Sequence, residues 1–209
     1  MSPQTIEAWI AGLGALAGLA TLAYAILATF RSLRQPSGRE EPGARLALRA
    51  PVLLVATALF IAAGVLLWRP LPIQPPPWLR FLMLSVAAPL FFGGLALYLW
   101  GMRSLGRMFG PSSDFGVRLH AKHWLVTTGP YAHVRHPMYL GVICTAIGTL
   151  LLYRTWASLG FAVIMFELAL RAGREESVLA QEFGDEWEGY ASRVPPWLPR
   201  MGEKKEGGV

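Results

Sequence analysis

The run AWIAGLGALAGLATLAYAILATF, Ala8–Phe30, carries no charged side chain and exceeds the roughly 20 residues that a helix needs to cross the hydrocarbon core of a bilayer. Four more stretches are uncharged or nearly so and read as further spans: Ala50–Trp68, Phe81–Trp100, Pro137–Tyr153 and Thr155–Leu170, the last two of them short. Only Arg154 separates those two, which predicts a tight antiparallel hairpin. Of the 209 residues, 54% are apolar and 15% charged, and the apolar residues come in runs rather than at a helical or alternating period. Soluble domains rarely show that pattern, so a helical hairpin buried in a soluble protein is the weaker alternative. The expected fold is all-α, a polytopic membrane bundle of about five transmembrane helices.

Basic residues divide unevenly among the connections. The first holds Arg31, Arg34, Arg39, Arg45 and Arg49, and the third holds Arg103, Arg107, Arg118, Lys122 and Arg135. The segment after the fifth run holds Arg171, Arg174, Arg193, Arg200, Lys204 and Lys205, whereas the second connection has only Arg69 and Arg80 and the fourth only Arg154. Because Lys and Arg are retained on the cytoplasmic side, a multi-pass protein of the cell membrane is expected, with its amino terminus outside and its carboxyl terminus in the cytoplasm. Met1–Ala8 has no basic side chain, while Arg31 and Arg34 follow the first run, so that run is expected to be a retained span rather than a cleaved signal. The net charge of +6 is accounted for by topology and anionic headgroups without nucleic acid. The single cysteine, Cys144, lies inside the fourth run and excludes a disulfide framework within the chain or a thiolate metal cluster.

Between the spans, Gln35–Gly43 reads as a flexible loop. The proline-rich Pro70–Pro77, flanked by Trp68 and Trp78, reads as a stiff interfacial strap. Gly14 and Gly18 form a small-xxx-small pair, expected to pack within the chain. The third connection, 103–136, is far longer than a helix turn requires, and its aromatic and apolar residues argue for structure and function rather than disorder. After the fifth run, Leu179, Phe183, Trp187 and Tyr190 share one helical face, which predicts a cytoplasmic C-terminal amphipathic helix ended by Pro195 and Pro196.

Two clusters have the residue types of a site. Glu167, Arg171 and Glu175 follow one another at steps of four at the inner end of the fifth run, and ionised groups near a bilayer interior are costly unless paired or used. They form either a ladder of ion pairs leaving the membrane or a polar pocket in which Arg171 binds an anionic group. The second cluster is Gly129-Pro130-Tyr131-Ala132-His133-Val134-Arg135-His136-Pro137-Met138-Tyr139-Leu140-Gly141. Pro137 suits the first position of a helix, His136 suits the cap, and free amides there with Arg135 and His136 would receive a carboxylate or phosphate.

The run Arg135–Gly141 followed by Glu175-Glu176 resembles the signature of membrane methyltransferases related to isoprenylcysteine carboxyl methyltransferase and the phospholipid methyltransferases. Leu125–Tyr131 is similar to the segment preceding that signature, and Phe183–Trp187 with Arg193-Val194-Pro195 to their C-terminal helix, so the resemblance covers about His120–Arg200. It implies S-adenosylmethionine as cofactor, lined by Val126, Gly129, Tyr131, Arg135, His136, Tyr139 and Gly141, with Glu175 or Glu176 accepting hydrogen bonds from its polar groups. It also implies that Arg171 orients the acceptor. A carboxylate acceptor needs only that placement, whereas an amine or thiol must lose a proton, for which Glu167 or a histidine is the candidate base.

The expected function is methyl transfer, as carboxylate O-methylation or amine N-methylation, to a membrane lipid or small apolar acceptor at the cytoplasmic face. The expected organisation is 1–104 as three helices on the lipid and substrate side, 105–200 as the cofactor-binding core and 201–209 as a flexible tail. No metal is expected, because His120, His123, His133 and His136 lack acidic or thiolate partners at ligand spacing. A monomer is favoured. Two other readings compete: an NADPH-dependent membrane sterol or enone reductase, which the acidic pair Glu175-Glu176 disfavours by repelling phosphates, and a non-catalytic membrane subunit.

Overall fold

The computed structural model describes residues 3–32, 50–109 and 124–199, and among them the chain is helical, with a single isolated bridge pairing Pro70 and Thr155. The helices are α1 (Pro3–Ser32), α2 (Ala50–Leu66), α3 (Pro77–Leu105), α4 (Pro137–Tyr153), α5 (Trp156–Met165), α6 (Glu167–Phe183) and α7 (Asp185–Arg193), with short 3-10 turns at Gly106–Met108 and Gly129–Ala132. The loop Gln35–Gly43, His120, His123 and the tail 201–209 lie outside the described residues.

Three described helices are long and apolar enough to cross a membrane: Gln4–Arg31, Pro77–Leu105 and Trp156–Phe183. Leu54–Leu66 and Pro137–Tyr153 are apolar but shorter, and at 1.5 Å per residue the 17 residues of α4 reach about 26 Å, below the roughly 30 Å of a hydrocarbon core. The fifth run does not stop at Leu170 as its apolar residues suggested. The helix tightens at Phe166, where Phe166 N–H bonds Val163 O and Ala169 N–H bonds Phe166 O, then continues as α6 to Phe183. Hydrophobicity fades along α6 while the backbone pattern does not.

The centre of the fold is the crossing of α3 and α4, where glycines let the backbones touch. A Cβ on Gly94 would lie 2.5 Å from Gly141 O, one on Gly141 would lie 2.7 Å from Gly94 O and Tyr98 N, and one on Gly148 would lie 2.6 Å from Phe91 N. No side chain fits at such distances, so these glycines are dictated by packing. Helix α1 packs beside them: Gly14 faces Phe91 and Tyr153, Gly18 faces Phe91, and Tyr153 donates its hydroxyl proton to Ala11 O at 2.7 Å. The small-xxx-small pair is therefore used within the chain. Helix α2 leans on α5 through Phe60 and Phe161, whose rings meet edge to face at 6.5 Å.

Arg154 turns the hairpin between α4 and α5 in a left-handed conformation (φ 51°), and a reciprocal Thr155–Ser158 capping box starts α5. The turn is braced by the proline-rich loop, because Leu71 N–H bonds Arg154 O and Trp156 N–H bonds Arg69 O. The guanidinium of Arg154 also pairs with Glu7 of α1. The second and fourth connections, poor in basic residues, thus meet at one end of the bundle. At the other end the third connection meets the segment after α7, because Arg135 N–H bonds Pro195 O and His136 N–H bonds Pro196 O.

Candidate functional site

Gly129 adopts φ +64°, and a Cβ there would lie 2.4 Å from Ser104 Oγ, so the chain turns tightly against the end of α3 before the Gly129–Ala132 turn. Pro137 then opens α4 with its ring at the first helical position. His136 does not cap that helix with its side chain, contrary to the expectation from its place. Its imidazole is instead drawn across to α6, where Nε2 lies 2.8 Å from Glu176 Oε1 and Nδ1 lies 4.0 Å from Glu175 Oε2. Arg135 reaches the same carboxylate, NH1 to Glu176 Oε2 at 3.2 Å, while its guanidinium lies over the Trp187 ring at 5.7 Å.

These contacts join two motifs forty residues apart in the chain. Burial holds His136 below the usual histidine range, and it outweighs the hydrogen bond and charge of Glu176, which act the other way, while Arg135 adds to the lowering. The ring is therefore neutral and donates from Nε2 to the carboxylate. Its plane lies within 4° of the Tyr139 ring at 5.6 Å, and Trp197 packs on it at 5.5 Å. The Tyr131 phenol is pushed far up by burial first and by the charge of Glu175 second, so it stays protonated. Tyr190 donates its hydroxyl proton to Tyr131 O at 2.7 Å.

Tyr131, Arg135, His136, Tyr139, Glu175 and Glu176 are thus brought together, and Gly129 sits at the turn that delivers them. Val126 is half-buried beside Leu125, which packs against the cluster of Trp187, Tyr190 and Val194. Gly141 is placed otherwise: its missing side chain serves the contact with Gly94 and Tyr98 of α3. Glu167 and Arg171 are exposed on α6, two turns and one turn before Glu175. His133 is exposed, with Nδ1 3.2 Å from Gly129 O.

The single C-terminal amphipathic helix expected from the spacing of Leu179, Phe183, Trp187 and Tyr190 is two helices. Gly184, at φ +48°, breaks the run and turns α7 back, so the four residues still gather in one apolar cluster. Sequence reasoning missed Trp197 and the carbonyls of Pro195 and Pro196 as partners of Arg135 and His136. Prolines after a helix signal only its end, and their acceptor carbonyls leave no sequence trace.

Residues 82–186, half of the chain, match the phospholipid methyltransferase family, and that stretch includes all of α4 to α6 and both halves of the site. The chain belongs to the phospholipid methyltransferase family. Among curated members of known name, it is 40% identical over 79 residues to a protein-S-isoprenylcysteine O-methyltransferase of Schizosaccharomyces pombe, covering 37% of this chain and 34% of that one. It is 38% identical over 85 residues to protein-S-isoprenylcysteine O-methyltransferase B of Arabidopsis thaliana (40% and 43%) and 31% identical over 137 residues to the Rattus norvegicus enzyme of that name (58% and 48%). The chain thus spans between about a third and a half of the length of these relatives. The phospholipid methyltransferase match begins inside α3, a helix grouped by sequence with the amino-terminal spans, as its glycine-mediated contact with α4 explains.

Proposed function

We propose that this protein transfers a methyl group from S-adenosylmethionine to an apolar, membrane-held acceptor, O-methylation of a carboxylate being the preferred chemistry. The observation that carries the reading is the 2.8 Å bond between His136 and Glu176, which closes the two halves of the family signature into one site. The residues present fit the cofactor. Glu175 and Glu176 offer negative charge to a cationic ligand, and the buried Nε of Arg135, a donor with no acceptor among the described residues, suits a carboxylate.

When bound, the cofactor supplies a methyl group on a positively charged sulfur. Such transfer needs alignment and exclusion of water more than acid–base chemistry. Trp187, Trp197, Tyr139 and Tyr190 supply an aromatic wall for that purpose. Arg171 stands one helical turn, about 6 Å, before Glu175 on the same face of α6, where its guanidinium would hold an acceptor carboxylate. A carboxylate needs no base, and for an amine acceptor Glu167, one turn further back, would take the proton. Val126 and Gly129 would contribute backbone groups to the cofactor, and Gly141 would act through the helix contact.

In this reading five helical spans cross the cell membrane, with the amino terminus outside and the site at the cytoplasmic face, where a soluble cofactor arrives from water and the acceptor from the bilayer. Residues 1–104, with α1, α2 and nearly all of α3, shape the acceptor side, and 105–200 form the cofactor core of a monomer. Incubating membranes from expressing cells with methyl-labelled cofactor, followed by mass spectrometry of the lipid fraction, tests it. A product heavier by one labelled methyl group, absent with Arg171→Ala, is expected. No labelled product from correctly folded protein, or one unaffected by Arg171→Ala, would count against it.

A further inference from the structure

The segment 124–136 has little means of holding its own shape. Its internal backbone bonds are those of His133 and Val134 N–H to Pro130 O, and its only regular element is a four-residue 3-10 turn. Val126, Gly129, Tyr131, Arg135 and His136, assigned above to the cofactor, nevertheless lie on it. The end of α3 backs it at Gly129 and His133, through Ser104 and Trp100, and the chain after α6 grips it at Tyr131, Arg135 and His136. Arg135 and His136 N–H are bonded by the carbonyls of Pro195 and Pro196 at 2.9 and 3.2 Å, and the proline rings fix φ and so preset the direction of the strap that carries them.

Two side chains complete the grip, and each does something packing alone does not require. The Tyr190 ring is buried with Trp187 and Val194, a place a phenylalanine would fill as well, but its hydroxyl leaves that cluster to bond Tyr131 O at 2.7 Å. Trp197 packs on the His136 ring at 5.5 Å and 35° while Tyr139 lies nearly parallel to it, so rotation of the imidazole away from Glu176 is opposed by two aromatic rings. Both Tyr190 and Trp197 lie beyond the stretch 82–186.

We propose that Tyr190 and Trp197 are positioning residues of the cofactor site, Tyr190 by fixing the Tyr131 carbonyl and Trp197 by locking the His136 imidazole onto Glu176. The proposal rests on the cofactor reading. Tyr190→Phe keeps the ring and removes one bond, Trp197→Ala opens the imidazole, and Trp197→Phe keeps an aromatic ring there. The test is calorimetric titration of each detergent-purified protein with S-adenosylhomocysteine, alongside its melting temperature and the NMR titration of His136, whose charged and titratable neighbours are Arg135, Glu175, Glu176 and Tyr139.

Tyr190→Phe is expected to bind about tenfold more weakly, while its melting temperature falls by only the few degrees that one buried hydrogen bond is worth. Trp197→Ala is expected to lose affinity and to raise the pH at which His136 titrates, because water reaches the ring, and Trp197→Phe to restore both. If the wild type binds and the variants bind equally well with His136 unmoved, the positioning role is refuted and the cofactor reading survives. Affinity falling only in step with melting temperature, in Tyr190→Phe and Trp197→Phe alike, would also refute it. Failure of the folded wild type to bind would remove the cofactor reading itself and this proposal with it.

Discussion

Glu176→Gln is the substitution on which the site's electrostatics can be worked through. The carboxylate accepts from a histidine whose side chain is 4% exposed and pairs with an arginine at 14%, while Glu176 itself is 25% exposed. Glutamine keeps one acceptor oxygen, so the bond to His136 Nε2 survives as a neutral one. Its amide nitrogen then faces Arg135 Nη1 where the second oxygen stood, so the Arg135 guanidinium, whose buried Nε has no acceptor among the described residues, loses its charge partner as well. A charge-assisted bond is worth about 1.5–3 kcal/mol and an exposed pair below about 1, so for this largely but not fully buried pair a loss of about 1–2 kcal/mol is expected. At roughly 2–4 °C per kcal/mol for a chain of this size, the melting temperature in detergent should fall by about 2–8 °C, readable from tryptophan fluorescence. The sign of a second effect is fixed as well. Glu176 raises the pKa of His136 against burial, so in the variant His136 must titrate lower still. An unchanged melting temperature together with an unchanged or raised His136 titration would refute this account of the contact.

Gly141→Ala places a methyl group 2.7 Å from the backbone of Gly94 and Tyr98, about 0.7 Å too close, and overpacking of this kind costs about 1–3 kcal/mol; its melting temperature should fall while a cofactor-contact role alone would leave it unchanged. Arg171→Ala, at an exposed position, should abolish turnover with melting temperature and product affinity close to wild type; an unfolded variant would point to the ladder instead. Since folded His136 has a lowered pKa, the unfolded chain binds the proton first as pH falls. Its contribution to stability is therefore complete above about 6.5 and is lost as pH drops below that value toward the folded pKa, and His136→Gln should flatten this slope in melts recorded from pH 7.5 to 5. Glu7→Gln, which breaks the pair tethering α1 to the hairpin at the far end, should lower stability slightly and leave product affinity unaffected.

The helices were readable in the sequence because their cause, continuous hydrophobicity, is local. Pro137 and Arg154 marked the ends of α4 for equally local reasons, a ring that fits the first turn and a tight connection. The helix after the fifth apolar run continues past Leu170 because α6 carries charge on one face while remaining helical, and the break at Gly184 was unread because a positive φ is set by where α7 must pack. At the site, the motif run and Glu175-Glu176 gave six residues that do meet. Gly141 also lies against the backbone of Gly94 across the helix crossing, a packing role that the motif run does not reveal. Trp197 and the Pro195 and Pro196 carbonyls went unseen because their partners lie some sixty residues upstream and no periodicity links them.

The decisive measurement is a double-mutant cycle of S-adenosylhomocysteine binding to detergent-purified wild type, His136→Ala, Glu176→Ala and the double variant. One saturable site in the wild type is expected, with each single change weakening it and the double change costing less than their sum, since both residues act through one contact. A folded wild type that does not bind, or losses that add strictly, would contradict a single site built from the start of α4 and the middle of α6.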